Sequence, residues 1–351
     1  MKAVAYHQSL PIDNPQALQD VQLDAPTPGP RDLLVEVKAI SVNPVDTKIR
    51  RNVAPEAGQP KVLGWDATGV VKAVGSEVTL FKIGDEVAYA GAINRAGANS
   101  ELHVVDERIV GRKPASLPFA EAAALPLTAI TAWELLFDRL QVADGSADQG
   151  QSLLVIGAAG GVGSILVQLA RQLTGLTVIG TASRPETEAW VRELGAHHVI
   201  DHRKPLNEEL VRIGIPQVTH VASLTQTDQH YDAIVEALAP QGRLALIDDP
   251  LHPLDVMKLK RKSISLHWEL MFTRSLFETA DMIEQHRLLN RVADLVDAGT
   301  LKTTLGEHFG TINADNLRRA HALLESGKAK GKIVLELSLI HISEPTRRYA
   351  I

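Results

Sequence analysis

Between residues 152 and 248 the chain repeats one unit, a short apolar run followed by a segment of helical periodicity. SLLVIG leads into GVGSILVQLARQL, TVIGTA into PETEAWVRELG, HHVID into a helical stretch around Leu206 to Ile213, VTHVASL into DQHYDAIVEALA, and RLALID ends the series. Consecutive strands separated by a helix return parallel to one another, because a parallel return needs a crossover of that length. The repeat predicts an α/β fold with a doubly wound parallel sheet. Helix boundaries agree with it: Ser183 and Glu186 have capping-box spacing, Pro185 suits a first turn, and Gly195 stands where a helix should stop.

The flanking segments read differently. Residues 1 to 125 carry short apolar stretches such as LLVEVKAISV and GVVKAV broken by Pro and Gly clusters, the pattern of an irregular, mostly antiparallel β domain. PLTAITAWELLFDRL is helical in pattern, SISLHWEL adds a strand, FETADMIEQHRLLNRVADLVDAG is a long amphipathic helix, and KIVLE is a closing strand. We divide the chain into a β-rich domain at 1–125, a nucleotide-binding domain at 126–266 and a return to the first domain at 267–336. The segment 337–351 contains LSLIHISEPTR, which matches a translated sequencing adaptor, and is expected to be a non-native tail.

A chain of 351 residues can bury two cores, and 45% apolar with 22% charged residues is the balance of a globular protein. The formal charge of -6 argues against nucleic acid or an acidic membrane as partner. With no cysteine, a disulfide, a thiolate metal ligand and a cysteine nucleophile are excluded. MKAVAYHQSL lacks the apolar core of a signal peptide, and no run approaches the roughly 20 apolar residues of a membrane span. Cytoplasmic residence is expected.

IGAAGGVGS, residues 156 to 164, lies at a strand-to-helix turn. Glycines there let the backbone approach a pyrophosphate, and the amides of a helix N-terminus attract it. Gly160, Gly161 and Gly163 suit those roles. The next strand ends at TASRP, about 20 residues on, where the ribose-reading residue of such a unit belongs. A carboxylate there would accept a bond from a free 2′-hydroxyl. Ser183 and Arg184 would instead bind a 2′-phosphate, so NADPH is favoured over NADH. The alternative is that Ser183 only caps a helix and Arg184 is solvated.

GWDATGVVKAVGSEVTLFKIGDEV, AAALPLTAITAW and IGAAGGVGS, in that order, resemble the medium-chain dehydrogenase/reductase superfamily. Within it the resemblance is to zinc-type alcohol dehydrogenase-like proteins that group with NADPH quinone oxidoreductases. It implies a GroES-like catalytic domain built from both chain ends around a Rossmann domain. Where zinc members carry their catalytic ligands, this chain has Asn43, Trp65 and Leu127, so no metal is expected. The thirteen histidines include the neighbours His197 and His198, which a strand would point to opposite faces.

The resemblance implies Asn43 and Thr131 at the nicotinamide, Gly160, Gly161 and Val162 at the pyrophosphate, and Ser183 and Arg184 at the 2′-phosphate. His202 takes a position where relatives place a Tyr near the adenosine phosphate. Ile247 and Asp248 would border the cofactor, and Arg274 would lie near its adenine end. Asn43, Asp46, Lys48 and Trp65 are the candidates for polarising a substrate. Without a Lewis acid an unactivated alcohol is a poor substrate, whereas a quinone or an α,β-unsaturated ketone spreads developing charge itself. The expected function is NADPH-dependent reduction of such acceptors by a homodimer. Two other readings stay open: a non-catalytic NADPH-binding protein and a zinc-dependent alcohol dehydrogenase.

Overall fold

A computed structural model describes residues 1 to 337, and the tail expected to be non-native lies outside the described residues from position 338 onward. Leu337, read with that tail, donates its backbone N–H to the Lys38 carbonyl at 2.9 Å and packs on the core. The repeated unit builds a six-stranded parallel sheet in the order His198–Ile200, Thr177–Thr181, Ser152–Ile156, Val218–Ser223, Leu238–Leu246, Ser265–Trp268. Strand Ser152–Ile156 is buried throughout, which explains its unbroken apolar run. Chain direction across the sheet reverses between it and Val218–Ser223, opening a crevice at their carboxyl ends. The sixth strand runs to Trp268, two residues past the expected division at 266.

A second sheet runs Leu305–Thr311, Lys332–Glu336, Asp32–Val42, Ala67–Val74, Glu86–Tyr89, Val110–Arg112, with Leu102–Asp106 also paired to Asp32–Val42. Its pairs are antiparallel except the first. The strand KIVLE thus adds to the sheet formed by the first third of the chain. Its register sets Ile333 opposite Val42, which brings Lys332 alongside Asn43.

Local departures have local causes. Helix Pro185–Glu193 is capped one residue later than expected: Arg184 stands at the N-cap position, and the Thr187 hydroxyl accepts from its N–H at 3.3 Å and donates to its carbonyl at 2.9 Å. Ser183 is left free of the capping role, while Gly195, at φ +108°, ends the helix as its lack of Cβ allows. The long amphipathic pattern forms helix only over Glu284–Asp297, and Phe277 stays 70% exposed before it. The segment Phe119–Arg139 is, against expectation, apolar and long enough by composition to cross a membrane, but 83% of its apolar window is buried inside the fold.

Candidate active site

The glycine loop is built for close approach. A Cβ on Gly163 would lie 2.4 Å from the Gly157 carbonyl oxygen and 2.6 Å from Ala158 Cα, so only glycine lets the helix start pack on the preceding turn. Gly160 begins helix Gly161–Leu173 without a side-chain cap, and Gly160, Gly161 and Val162 remain half-exposed. Uncapped amides at an accessible helix start are the donors a pyrophosphate needs. These residues fit the phosphates of a dinucleotide.

Beyond the end of strand Thr177–Thr181 lies a cleft of about 330 Å³ lined by Ser183 and Arg184 and by four cations unnoticed in the sequence, Arg192, Arg203, Lys204 and Arg212. Five cations meet three carboxylates there: Glu188, Asp201 and Glu209. Arg184 donates to the Lys328 carbonyl at 3.1 Å and pairs with Glu186 at 3.0 Å, leaving its guanidinium partly exposed. Arg203 holds Asp201 at 2.7 Å and, with its hydrogen bonds, draws that carboxyl down to about 2. The surplus of positive charge suits a phosphate dianion.

His202 turns away from this lining. Its ring meets His230 edge-on at 6.1 Å, and burial lowers its pKa. Ile247 and Asp248 follow strand Leu238–Leu246 and are half-exposed. Asp248 accepts from both the backbone N–H (2.9 Å) and the hydroxyl of Thr227, fixing the start of helix Thr227–Ala237 at the rim of the crevice.

Across the crevice, Asn43 and Leu127, two of the positions where zinc members of the superfamily carry ligands, bond to one residue that sequence reasoning passed over. Asp66 is fully buried and accepts from Asn43 Nδ2 at 2.8 Å, from the Leu127 backbone N–H at 2.7 Å and from Lys332 Nζ at 3.0 Å. Lys332 also donates to the Val42 carbonyl at 3.1 Å and to Asn43 Oδ1, which satisfies all three of its N–H groups. Burial raises the Asp66 pKa, and Lys332 opposes that rise. A zinc ion does not fit here: Leu127 offers a backbone N–H, Asn43 is held at both ends of its amide, and Trp65 donates its indole N–H to the Ala92 carbonyl at 3.1 Å. Among the described residues no three His, Asp or Glu side chains group to hold a metal.

Trp65 is 1% exposed and packs edge-on against Phe272, so the structure places it in the core rather than on the crevice wall. Asp46 accepts from the Asn43 N–H at 2.6 Å, and burial lifts its carboxyl to about 7. Thr131 bonds back to the Leu127 carbonyl at 2.8 Å within helix Pro126–Trp133. Lys48 reaches across the two domains to Asp249 at 2.6 Å in an exposed pair.

Arg274, expected near the adenine, is engaged by protein carboxylates. Glu134 at 2.6 Å, Asp281 at 3.0 Å and Asp138 at 3.1 Å surround it, leaving no guanidinium edge for a cofactor. Glu134 opens a π-helical turn, Glu134–Arg139, that continues helix Pro126–Trp133 and re-aims both acids. Glu269, paired with Arg139 at 2.8 Å, is pushed up to about 9 by burial and by the neighbouring Glu134. A carboxyl raised in the folded state stabilises the fold fully below its ordinary value of about 4.3, and that contribution is lost as pH climbs toward 9. Thermal unfolding midpoints should therefore fall more between pH 7 and 9 in the wild type than in Glu269→Gln, which cannot ionise; equal slopes would remove Glu269 from the account.

A two-domain protein with a dinucleotide-binding sheet facing a β-rich domain across one crevice is the architecture of a nicotinamide oxidoreductase. Residues 29–123 match the model of the alcohol dehydrogenase GroES-like domain, and residues 194–335 match that of the zinc-binding dehydrogenase. The chain is 39% identical to a zinc-type alcohol dehydrogenase-like protein of Staphylococcus aureus, over 96% of its own length and 100% of the relative's. It is 32% identical to a quinone oxidoreductase of Pseudomonas aeruginosa, over 92% and 96%. Among solved structures, a Rhizobium etli protein provisionally assigned as a zinc-dependent alcohol dehydrogenase aligns with TM-score 0.92 and 58% identity, over 96% and 98%. Escherichia coli quinone oxidoreductase complexed with NADPH aligns at TM-score 0.81 and 27% identity, over 96% and 100%. The chain belongs to the medium-chain dehydrogenase/reductase superfamily, in its quinone oxidoreductase group. It is accordingly an oxidoreductase that uses a nicotinamide cofactor.

Proposed function

We propose that this protein reduces quinones or α,β-unsaturated carbonyls with hydride from NADPH, without a metal. The observation that carries the reading is the buried Lys332–Asp66–Asn43 cluster, which uses the positions of a zinc site for hydrogen bonds among protein groups. Bound NADPH supplies the hydride, and an acceptor that delocalises its own charge dispenses with a Lewis acid. Gly160, Gly161 and Val162 hold the pyrophosphate, Ser183 and Arg184 the 2′-phosphate with help from Arg203 and Lys204, and Ile247 and Asp248 border the ribose side. Asn43 and Thr131 shape the nicotinamide side. Lys48 is the ammonium that would polarise a substrate oxygen. Its exposed pair with Asp249 is worth only about 0–1 kcal/mol, so exchanging that partner for a substrate oxygen costs little.

The test is NADPH oxidation by chelator-treated protein across a panel of quinones and enones. Turnover that zinc does not increase is expected; absence of turnover on every acceptor favours a non-catalytic NADPH-binding protein, and turnover restored only by zinc favours an alcohol dehydrogenase. We also propose a homodimer formed through strand Ser265–Trp268, an exposed edge of the parallel sheet flanked by Trp268, Leu270 and Phe277, which are 53%, 53% and 70% exposed. Sedimentation of the wild type as a monomer would refute that arrangement. Residence in the cytoplasm is part of the same proposal.

A further inference from the structure

The Lys332 side chain joins two parts of the crevice that are far apart in sequence. Its stem lies under the glycine loop: a Cβ on Gly161 would come within 2.8 Å of Lys332 Cδ. The backbone beside it is tied to the same loop, since Gly331 donates its N–H to the Ala159 carbonyl at 2.9 Å. Its ammonium ends among Val42, Asn43 and Asp66, and Asp66 in turn receives the Leu127 N–H at the start of helix Pro126–Trp133. Lys332 is 3% exposed and Asn43 1%, so water does not compete for these bonds. One ammonium and one carboxylate also fix the Asn43 amide, because Oδ1 must face the donor and Nδ2 the acceptor. Asn43 then passes the constraint on through its backbone N–H to Asp46, at the first turn of helix Pro44–Asn52, which carries Lys48.

We propose that Lys332 is a positioning residue for hydride transfer: its stem seats the cofactor loop and its ammonium holds Asn43 and the substrate-side helix in register with it. This rests on the proposed NADPH-dependent reduction, yet half of it concerns binding alone. The stem function predicts what truncation does to NADPH affinity, and the ammonium function predicts what charge removal does to turnover.

Two double variants separate the two functions while avoiding an unpaired buried charge. Lys332→Met with Asp66→Asn keeps the stem and removes both charges; Lys332→Ala with Asp66→Asn removes the stem as well. NADPH binding by fluorescence titration should stay within roughly threefold of wild type in the first and weaken by roughly tenfold or more in the second. In the first, kcat for a quinone should drop by roughly thirtyfold or more with KM little changed, as expected when a transition-state alignment is lost. The primary isotope effect with NADPH deuterated at the transferred position should rise in the same variant. Equal NADPH affinity in the two variants overturns the stem function, and wild-type kcat with an unchanged isotope effect in the Met variant overturns the ammonium function. If wild-type protein binds NADPH but reduces no acceptor, the proposed activity fails, while the affinity comparison still decides the stem function.

Discussion

Asp66→Ala is expected to lower the unfolding free energy by about 3–5 kcal/mol, the usual cost of stripping one partner from a buried ion pair. The variant would leave the Lys332 ammonium buried with two neutral acceptors, strip the Leu127 N–H of its acceptor, and leave Asn43 Nδ2 only its long contacts to the Ser41 and Trp65 carbonyls, each at 3.4 Å. Each of those groups is shielded from water, so none recovers its bond from solvent. Denaturation in urea measures the loss directly. Asp66→Asn with Lys332→Met should lose less than Asp66→Ala, because no net charge is then buried. A loss below about 1 kcal/mol for Asp66→Ala would mean that the cluster is wetter and looser than its geometry indicates.

Arg184→Glu should weaken NADPH binding by roughly 10- to 100-fold while leaving NADH within about threefold, since a hydrogen bond to a charged group contributes about 1.5–3 kcal/mol. The substitution places a carboxylate beyond the end of strand Thr177–Thr181, in the cleft that Ser183, Arg203 and Lys204 also line. Repulsion of a 2′-phosphate then adds to the lost attraction. Because the Arg184 side chain is partly exposed, the fold should tolerate the change, and an unaltered melting temperature would show that the effect is local. An equal loss of affinity for both nucleotides would point to damage of the glycine loop instead.

The repeated strand-helix unit was readable because burial on both faces forces unbroken apolar strands and because glycine marks the turns that need it. Gly163 and Gly195 illustrate the second point: one lacks room for a Cβ and the other holds a positive φ. The site was readable only where a residue type is unusual for its place. Arg184 at a strand end stands out in sequence. Lys332 and Asp66 do not, since a single lysine before an apolar strand looks solvated and its partner lies 266 residues away. The one available hint was that Lys332 opens KIVLE, an otherwise mostly apolar run read as a closing strand. Trp65 drew attention through the ligand position it occupies, but a large apolar ring there is accounted for by packing on Phe272. Arg274 misled for a related reason: the π-helical turn that brings Glu134 and Asp138 to it has no signature in periodicity.

The central claim is that positive charge beside Ser183 selects the phosphorylated dinucleotide, and calorimetric titration of wild-type protein with NADPH and with NADH tests it most directly. NADPH should bind at least roughly tenfold more tightly, about 1.4 kcal/mol, and the margin should shrink as salt is raised. Equal affinities, or tighter binding of NADH, would contradict it.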